Sequence, residues 1–134
     1  MTSLSVSLRS IPDTGAAVGW AGGHTVVIDR PEGRAGGSGL GFNGAQMLAL
    51  SLGGCLCNDL RYMAENLGIA LDTISVEVSL TLEGEPLLVT SAELDVGVTG
   101  SGDLELLVSR AATDSTVSNS VQRGFPVMIR RSQG

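Results

Sequence analysis

The chain has 134 residues, 43% hydrophobic and 16% charged, enough apolar material for one packed domain and too much for a disordered chain despite nineteen glycines. It has no lysine, since all eight basic residues are arginine, and a single histidine, His24. Lysine Schiff-base chemistry, a P-loop lysine and a multi-histidine metal site are therefore excluded, and a Ser-His-Asp site could be built only around His24.

The net charge of -6 argues against nucleic-acid binding, which needs clustered cations, and four aromatic residues leave little for a base-stacking platform. The same charge disfavours anionic membranes. Residues 1–10 combine neither a basic start nor an apolar run, so no signal peptide is expected. The most apolar stretch, Met47 to Cys57, is eleven residues and too short to span a bilayer. The two cysteines, Cys55 and Cys57, cannot staple distant segments together, and a cytoplasmic location is the expectation.

In chain order, Leu4, Val6 and Leu8 alternate with serines and predict a half-buried strand, followed by a turn at Pro12-Asp13 and Gly15. Ala16 to Trp20 and His24 to Asp29 predict two strands joined through Ala21-Gly22-Gly23 as a hairpin. Arg30 to Gly41 carries five glycines and a proline in twelve residues and predicts a loop that is mobile unless a partner orders it. Asn43 is a suitable N-cap for a long helix ending at Leu67, with Gly68 as its stop. The first half of that helix is apolar or small on every face, which predicts burial on all sides. A chain this short can hardly enclose such a helix alone, so a second subunit is expected to complete the wrapping. The pair Gly53-Gly54, at about 1 kcal/mol per glycine in helix propensity, suggests close approach by another backbone.

Thr73 to Glu83 and Leu87 to Val98 alternate on either side of Gly84-Glu85-Pro86 and predict an antiparallel hairpin. Asp103 to Thr113 has helical spacing, a second helical stretch runs through Val117 and Val121 to Gly124, and Phe125 to Ile129 predicts a closing strand. Strands segregated from helices indicate an α+β fold, here a single domain over residues 1–134.

Among residues that could carry chemistry, Cys55 reads either as a small core residue or as a nucleophilic thiolate assisted by a cation. The cation would be an arginine, with Arg9, Arg30, Arg34 and Arg61 as possible sources. Cys57 points roughly 200° away on a helix, so a Cys55–Cys57 disulfide would require local unwinding. Two thiolates fall short of a closed zinc site, so no metal is expected unless two subunits each contribute a pair, and no cofactor is expected. Asp13, Asp29 and Glu32 read as solvent-facing charge, His24 as a solvated loop residue and Trp20 as core. Gly36-Gly37-Ser38-Gly39 lacks the spacing and context of a nucleotide loop.

The run Gly41-Phe42-Asn43-Gly44-Ala45-Gln46-Met47-Leu48-Ala49-Leu50-Ser51-Leu52-Gly53-Gly54-Cys55 resembles the OsmC/Ohr family, whose helix reads N-P-E-x-L-L-x-A-A-L-x-x-C. Asn43 and Cys55 stand at the family's separation, and Ser109 to Val117 resembles its second helix, which reads A-x-x-x-C-P-V. The resemblance implies antiparallel sheets wrapped around a long central helix in an intertwined homodimer. It also implies a peroxidatic cysteine that reduces organic hydroperoxides, a resolving cysteine, a polarising glutamate and arginine, and an external thiol reductant. Cys55 matches the peroxidatic position, but Ser115 stands at the resolving position, Ala45 at the glutamate and Gly44 at the proline. Gln46 lies beside the missing glutamate, and Arg9 and Arg34 are the candidates for the family's arginine; these three are the expected substrate-binding residues. The Cys-Leu-Cys-Asn-Asp run resembles a divergent OsmC-like branch. Three functions follow as expectations: a hydroperoxide reductase using Cys55, with Cys57 or an external thiol resolving it; a homodimer that binds a small hydrophobic ligand or senses redox state; and a scaffold without chemistry.

Overall fold

A computed structural model describes residues Met1–Ser132. The chain forms two compact units, one from Met1 to Leu48 and one from Ala49 onward, with the boundary just inside the long helix.

The first unit holds a three-stranded antiparallel sheet in the order β1 (Ser7–Ser10), β2 (Ala17–Ala21), β3 (His24–Ile28). Gly22-Gly23 turns β2 into β3 with Ala21 opposite His24, the predicted hairpin. The first strand is displaced from its predicted position. Leu4 and Val6 lie before β1, exposed at 93% and 69%, and Leu8 is paired with Gly19. Alternation alone located an apolar segment but not the residues that find a ladder.

The loop after β3 is cross-braced by its own residues. The Arg30 carbonyl accepts from the Gly39 N–H at 3.0 Å, the Arg34 carbonyl from Gly37, and Phe42 exchanges backbone bonds with Val27 and Asp29. Gly41 is obligatory at the end of this loop, because a side chain there would run into the Val27 carbonyl.

The α1 helix (Gly44–Leu67) starts with reciprocal capping. The Gln46 N–H donates to Asn43 Oδ1 at 2.8 Å, and the Asn43 N–H donates to Gln46 Oε1 at 2.9 Å. Its buried residues, Leu52, Gly53, Leu56, Leu60 and Ala64, define one face, while Leu50, Ser51 and Gly54 are exposed. The single chain therefore encloses α1 on one side only. Gly53 lies against β4, where an added Cβ would stand 3.0 Å from Val78 Cγ2, whereas nothing lies within 4 Å of one added at Gly54. Only the first glycine answers a close approach within the chain, and the approach is by valine side chains rather than by backbone.

In the second unit β4 (Ala70–Glu83) and β5 (Leu88–Ser101) form a two-stranded antiparallel ribbon. Ile74 pairs with Val98, Val76 with Val96 and Val78 with Leu94, so one face of the ribbon is a ladder of aliphatic pairs. These pairs close over a core of Leu56, Leu60 and Ala64 from α1 and Leu107 and Ala111 from α2 (Leu104–Asp114). Asp103 caps α2 by accepting from the Leu106 N–H at 3.0 Å. A final helix, α3 (Thr116–Arg123), ends at Gly124 with φ 78°.

The strand expected at Phe125 to Ile129 does not form; these residues belong to no helix or strand, with Phe125 65% and Ile129 93% exposed. A strand exists only where a neighbour supplies a hydrogen-bonded ladder, and among the described residues none pairs with this segment. No helix among the described residues is long and apolar enough to cross a membrane.

Candidate functional site

Cys55 lies near the middle of α1, half-buried and outside any disulfide, between the buried Leu52 and Leu56. Helical spacing places residue 59 one turn further along the same face. There the Cys55 thiol donates to the carboxylate Oδ2 of Asp59 at 3.5 Å, within reach for a sulfur donor. Cys57, also half-buried and free, lies on another face of the helix, where its position two residues away directs it.

Of the four candidate arginines for a cation beside Cys55, Arg61 shares its unit and is otherwise engaged. Its Nη1 donates to the Leu71 carbonyl at 3.1 Å and its Nη2 to the Asp72 carbonyl at 3.1 Å, tying α1 to the start of β4. Arg30, Arg9 and Arg34 belong to the first unit. Arg30 faces Asp29 Oδ1 at 3.4 Å and donates through Nη2 to the Gly15 carbonyl. Arg9 sits on β1 opposite Val18, and Arg34 is exposed in the glycine loop.

Ser115 joins α2 to α3 and is 1% exposed. It occupies the N-cap position of α3 but makes no side-chain capping bond, and its buried Oγ has no hydrogen-bond partner. Its burial continues the stripe Leu107, Ala111, Ser115, which advances by one helical turn at each step. A cysteine could sit there at less cost, because a thiol is a weak donor and acceptor and tolerates an apolar shell.

Gln46 contributes its side-chain oxygen to the capping of α1, so its part is to start the helix that carries Cys55. It also lines a small cavity of about 170 Å³ with Asp29, Pro31, Gly39, Gly41 and Asn43. Asp29 corrects the solvent-facing reading, for its side chain is wholly removed from solvent. Its carboxylate accepts from the backbone N–H of Arg30 at 2.7 Å, Ser38 at 3.1 Å and Leu40 at 3.0 Å. Those bonds, the one from Leu40 foremost, hold its carboxyl below the ordinary value of 3.8 against the opposing effect of burial, and the charge of Arg30 adds to them.

A second cavity in the first unit, of about 260 Å³, opens on the face of the sheet. Leu8, Trp20, His24, Val26, Ile28 and Met47 are among its walls. Trp20 is thus a cavity wall, 36% exposed, rather than the core residue expected, and His24 is the first residue of β3 rather than a turn residue. Among the described residues no cluster of three or more potential metal ligands occurs.

Known proteins share this architecture. Residues 36–130 match the family described as OsmC-like protein. The chain belongs to that family. Its fold is that of an OsmC-like protein from Mycoplasma pneumoniae, with a TM-score of 0.76 at 14% identity over 90% of this chain and 88% of the other. An organic hydroperoxide resistance protein OsmC from Legionella pneumophila gives a TM-score of 0.68 at 20% identity over 91% and 90% of the two chains. An OsmC-like protein from Vibrio cholerae gives 0.73 at 12% identity over 89% and 93%. No curated protein matches the sequence.

Sequence reasoning selected Cys55, Cys57 and Ser115 in one unit and Gln46, Arg34 and Arg9 in the other. It missed Asp59, although the spacing of four residues from Cys55 was visible. It also missed Asp29, whose role depends on amides spread over eleven residues of loop.

Proposed function

We propose that this OsmC-like protein is a thiol-dependent organic hydroperoxide reductase that acts through Cys55, as a single domain over residues 1–134. The observation that carries this reading is a free, half-buried thiol at mid-helix in a chain of this family, with a proton acceptor in hydrogen-bond contact. The Cys55 sulfur attacks the distal peroxide oxygen, an S–O bond forms as the O–O bond breaks, and the products are a sulfenic acid and an alcohol. Ser115 has no sulfur with which to capture that sulfenic acid. An external thiol therefore condenses with it, releasing water and leaving a mixed disulfide, and a second thiol frees Cys55 and departs as the oxidised dithiol. Cys57 could take the first role only after local unwinding of α1.

The working form is a cytoplasmic homodimer. Support comes from apolar side chains left in solvent by the single chain, notably Val127, Met128 and Ile129 at 72%, 84% and 93% exposure. Light scattering at micromolar concentration is expected to give twice the chain mass, and a monomer would contradict the dimer. Substrates are small organic hydroperoxides held by apolar contacts, with Gln46, Arg34 and Arg9 as their candidate binding residues. With dithiothreitol as reductant the protein should consume cumene hydroperoxide catalytically, Cys57→Ser should retain turnover, and Cys55→Ser should lose it.

The cavity bounded by Trp20 and Met47 gives a specific basis for a second reading, in which the protein stores a small hydrophobic ligand. Native mass spectrometry of gently purified protein separates the two, since a stoichiometric co-purifying ligand belongs to the second alone.

A further inference from the structure

We propose that Asp59 is the proton acceptor that activates Cys55, a role that rests on the hydroperoxide-reductase reading but is separately testable. A thiol is a poor nucleophile until it loses its proton, and the usual help is a neighbouring cation or a base within hydrogen-bond reach. In the unit that holds Cys55, the one arginine on α1, Arg61, is committed to the carbonyl oxygens of Leu71 and Asp72. The position of the family's motif glutamate carries Ala45, which can neither accept nor donate through its side chain. Asp59 remains, one helical turn beyond Cys55, with Oδ2 receiving the thiol hydrogen at 3.5 Å. Both residues are half-buried, which limits competition from water for that hydrogen.

The proton balance closes within the pair. As the Cys55 sulfur attacks the distal oxygen of the hydroperoxide, its hydrogen passes to Asp59. The breaking O–O bond leaves an alkoxide, and the Asp59 carboxylic acid returns the same proton to it. Sulfur loses two electrons, the peroxide gains them, an alcohol leaves, and Asp59 is again a carboxylate. The helix also supplies an internal control. Cys57 is two residues from Asp59 and roughly 200° around the helix from it, so Asp59 serves Cys55 alone.

The test compares wild type, Asp59→Asn and Asp59→Glu in two reactions followed by peptide mass spectrometry at neutral pH. One is sulfenate formation with cumene hydroperoxide, trapped by dimedone. The other is alkylation by iodoacetamide, in which sulfur displaces iodide and still must shed its proton. Asp59→Asn should slow both reactions at Cys55 by on the order of tenfold to a hundredfold. Cys57 alkylation should be unchanged, and Asp59→Glu should recover much of the Cys55 rate. Equal or faster reaction of Cys55 in Asp59→Asn overturns the proposal, as does parallel slowing of Cys57, which would mark a general change in the helix. If wild-type Cys55 forms no sulfenate yet its alkylation slows in Asp59→Asn, the peroxidase reading fails and the proton acceptor stands. If sulfenate forms at the same rate in both proteins, the reverse holds.

Discussion

Two buried polar side chains, one in each unit, are treated in opposite ways. Asp29 is withdrawn from solvent and receives three backbone N–H donors and an ion pair. Ser115 is equally withdrawn and receives nothing. In the first unit a charge is buried because it organises twelve residues of glycine-rich chain that have no ladder to follow. In the second a hydroxyl is buried because the helical stripe begun by Leu107 and Ala111 brings it inside, whatever its chemistry. The contrast separates a polar group on which local structure depends from one that local structure merely encloses, and the two should respond oppositely to deletion.

The largest effect is expected at Asp29. Asp29→Ala leaves the amides of Ser38 and Leu40 without their acceptor, so their hydrogen-exchange protection should vanish. The melting temperature should also fall. Acid should do the same reversibly. Because the folded state depresses the Asp29 carboxyl, its contribution is complete above the ordinary value of 3.8 and is lost as pH falls through the lower folded value. Protection of Ser38 and Leu40 at neutral pH should therefore persist through pH 5 and disappear only below about 4. Loss of protection already at pH 6 would show that Asp29 is not the organising group.

Ser115 should behave in the opposite sense. An unsatisfied buried hydroxyl costs about 1–3 kcal/mol, so Ser115→Ala should raise the unfolding free energy from urea titration by about 1 kcal/mol, with a higher midpoint. Ser115→Cys should stabilise as well, since the larger sulfur keeps the packing without demanding a partner. Destabilisation by both substitutions would mean that the hydroxyl has a partner in the assembled protein, and the contrast with Asp29 would then collapse. A smaller effect belongs to Gly54, which has open space at its missing Cβ. Gly54→Ala should add up to about 1 kcal/mol of helix stability in a free chain and less, or none, if a second subunit packs on that face.

The same distinction explains what the sequence disclosed. The helix from Asn43 to Gly68, the β4–β5 hairpin and the two later helices follow from periodicity, caps and glycine stops, all properties of adjacent residues. The Asp29 knot depends on backbone donors that come together only after the loop has closed. The segment Phe125–Ile129 has the composition of a strand but no ladder within the described chain, and composition cannot supply one. The Cys55–Asp59 pair lies between these cases. Its spacing was legible, but only the half-buried setting turns two residues on one helix face into a thiol and its acceptor.

The central claim is that Cys55 is a reactive thiol and not a packing residue. Its most direct test treats the reduced protein with stoichiometric cumene hydroperoxide in the presence of dimedone and maps the adduct by peptide mass spectrometry. A single adduct on Cys55 is expected, absent from Cys55→Ser and still formed in Cys57→Ser. An unmodified Cys55 in protein that remains folded would contradict it.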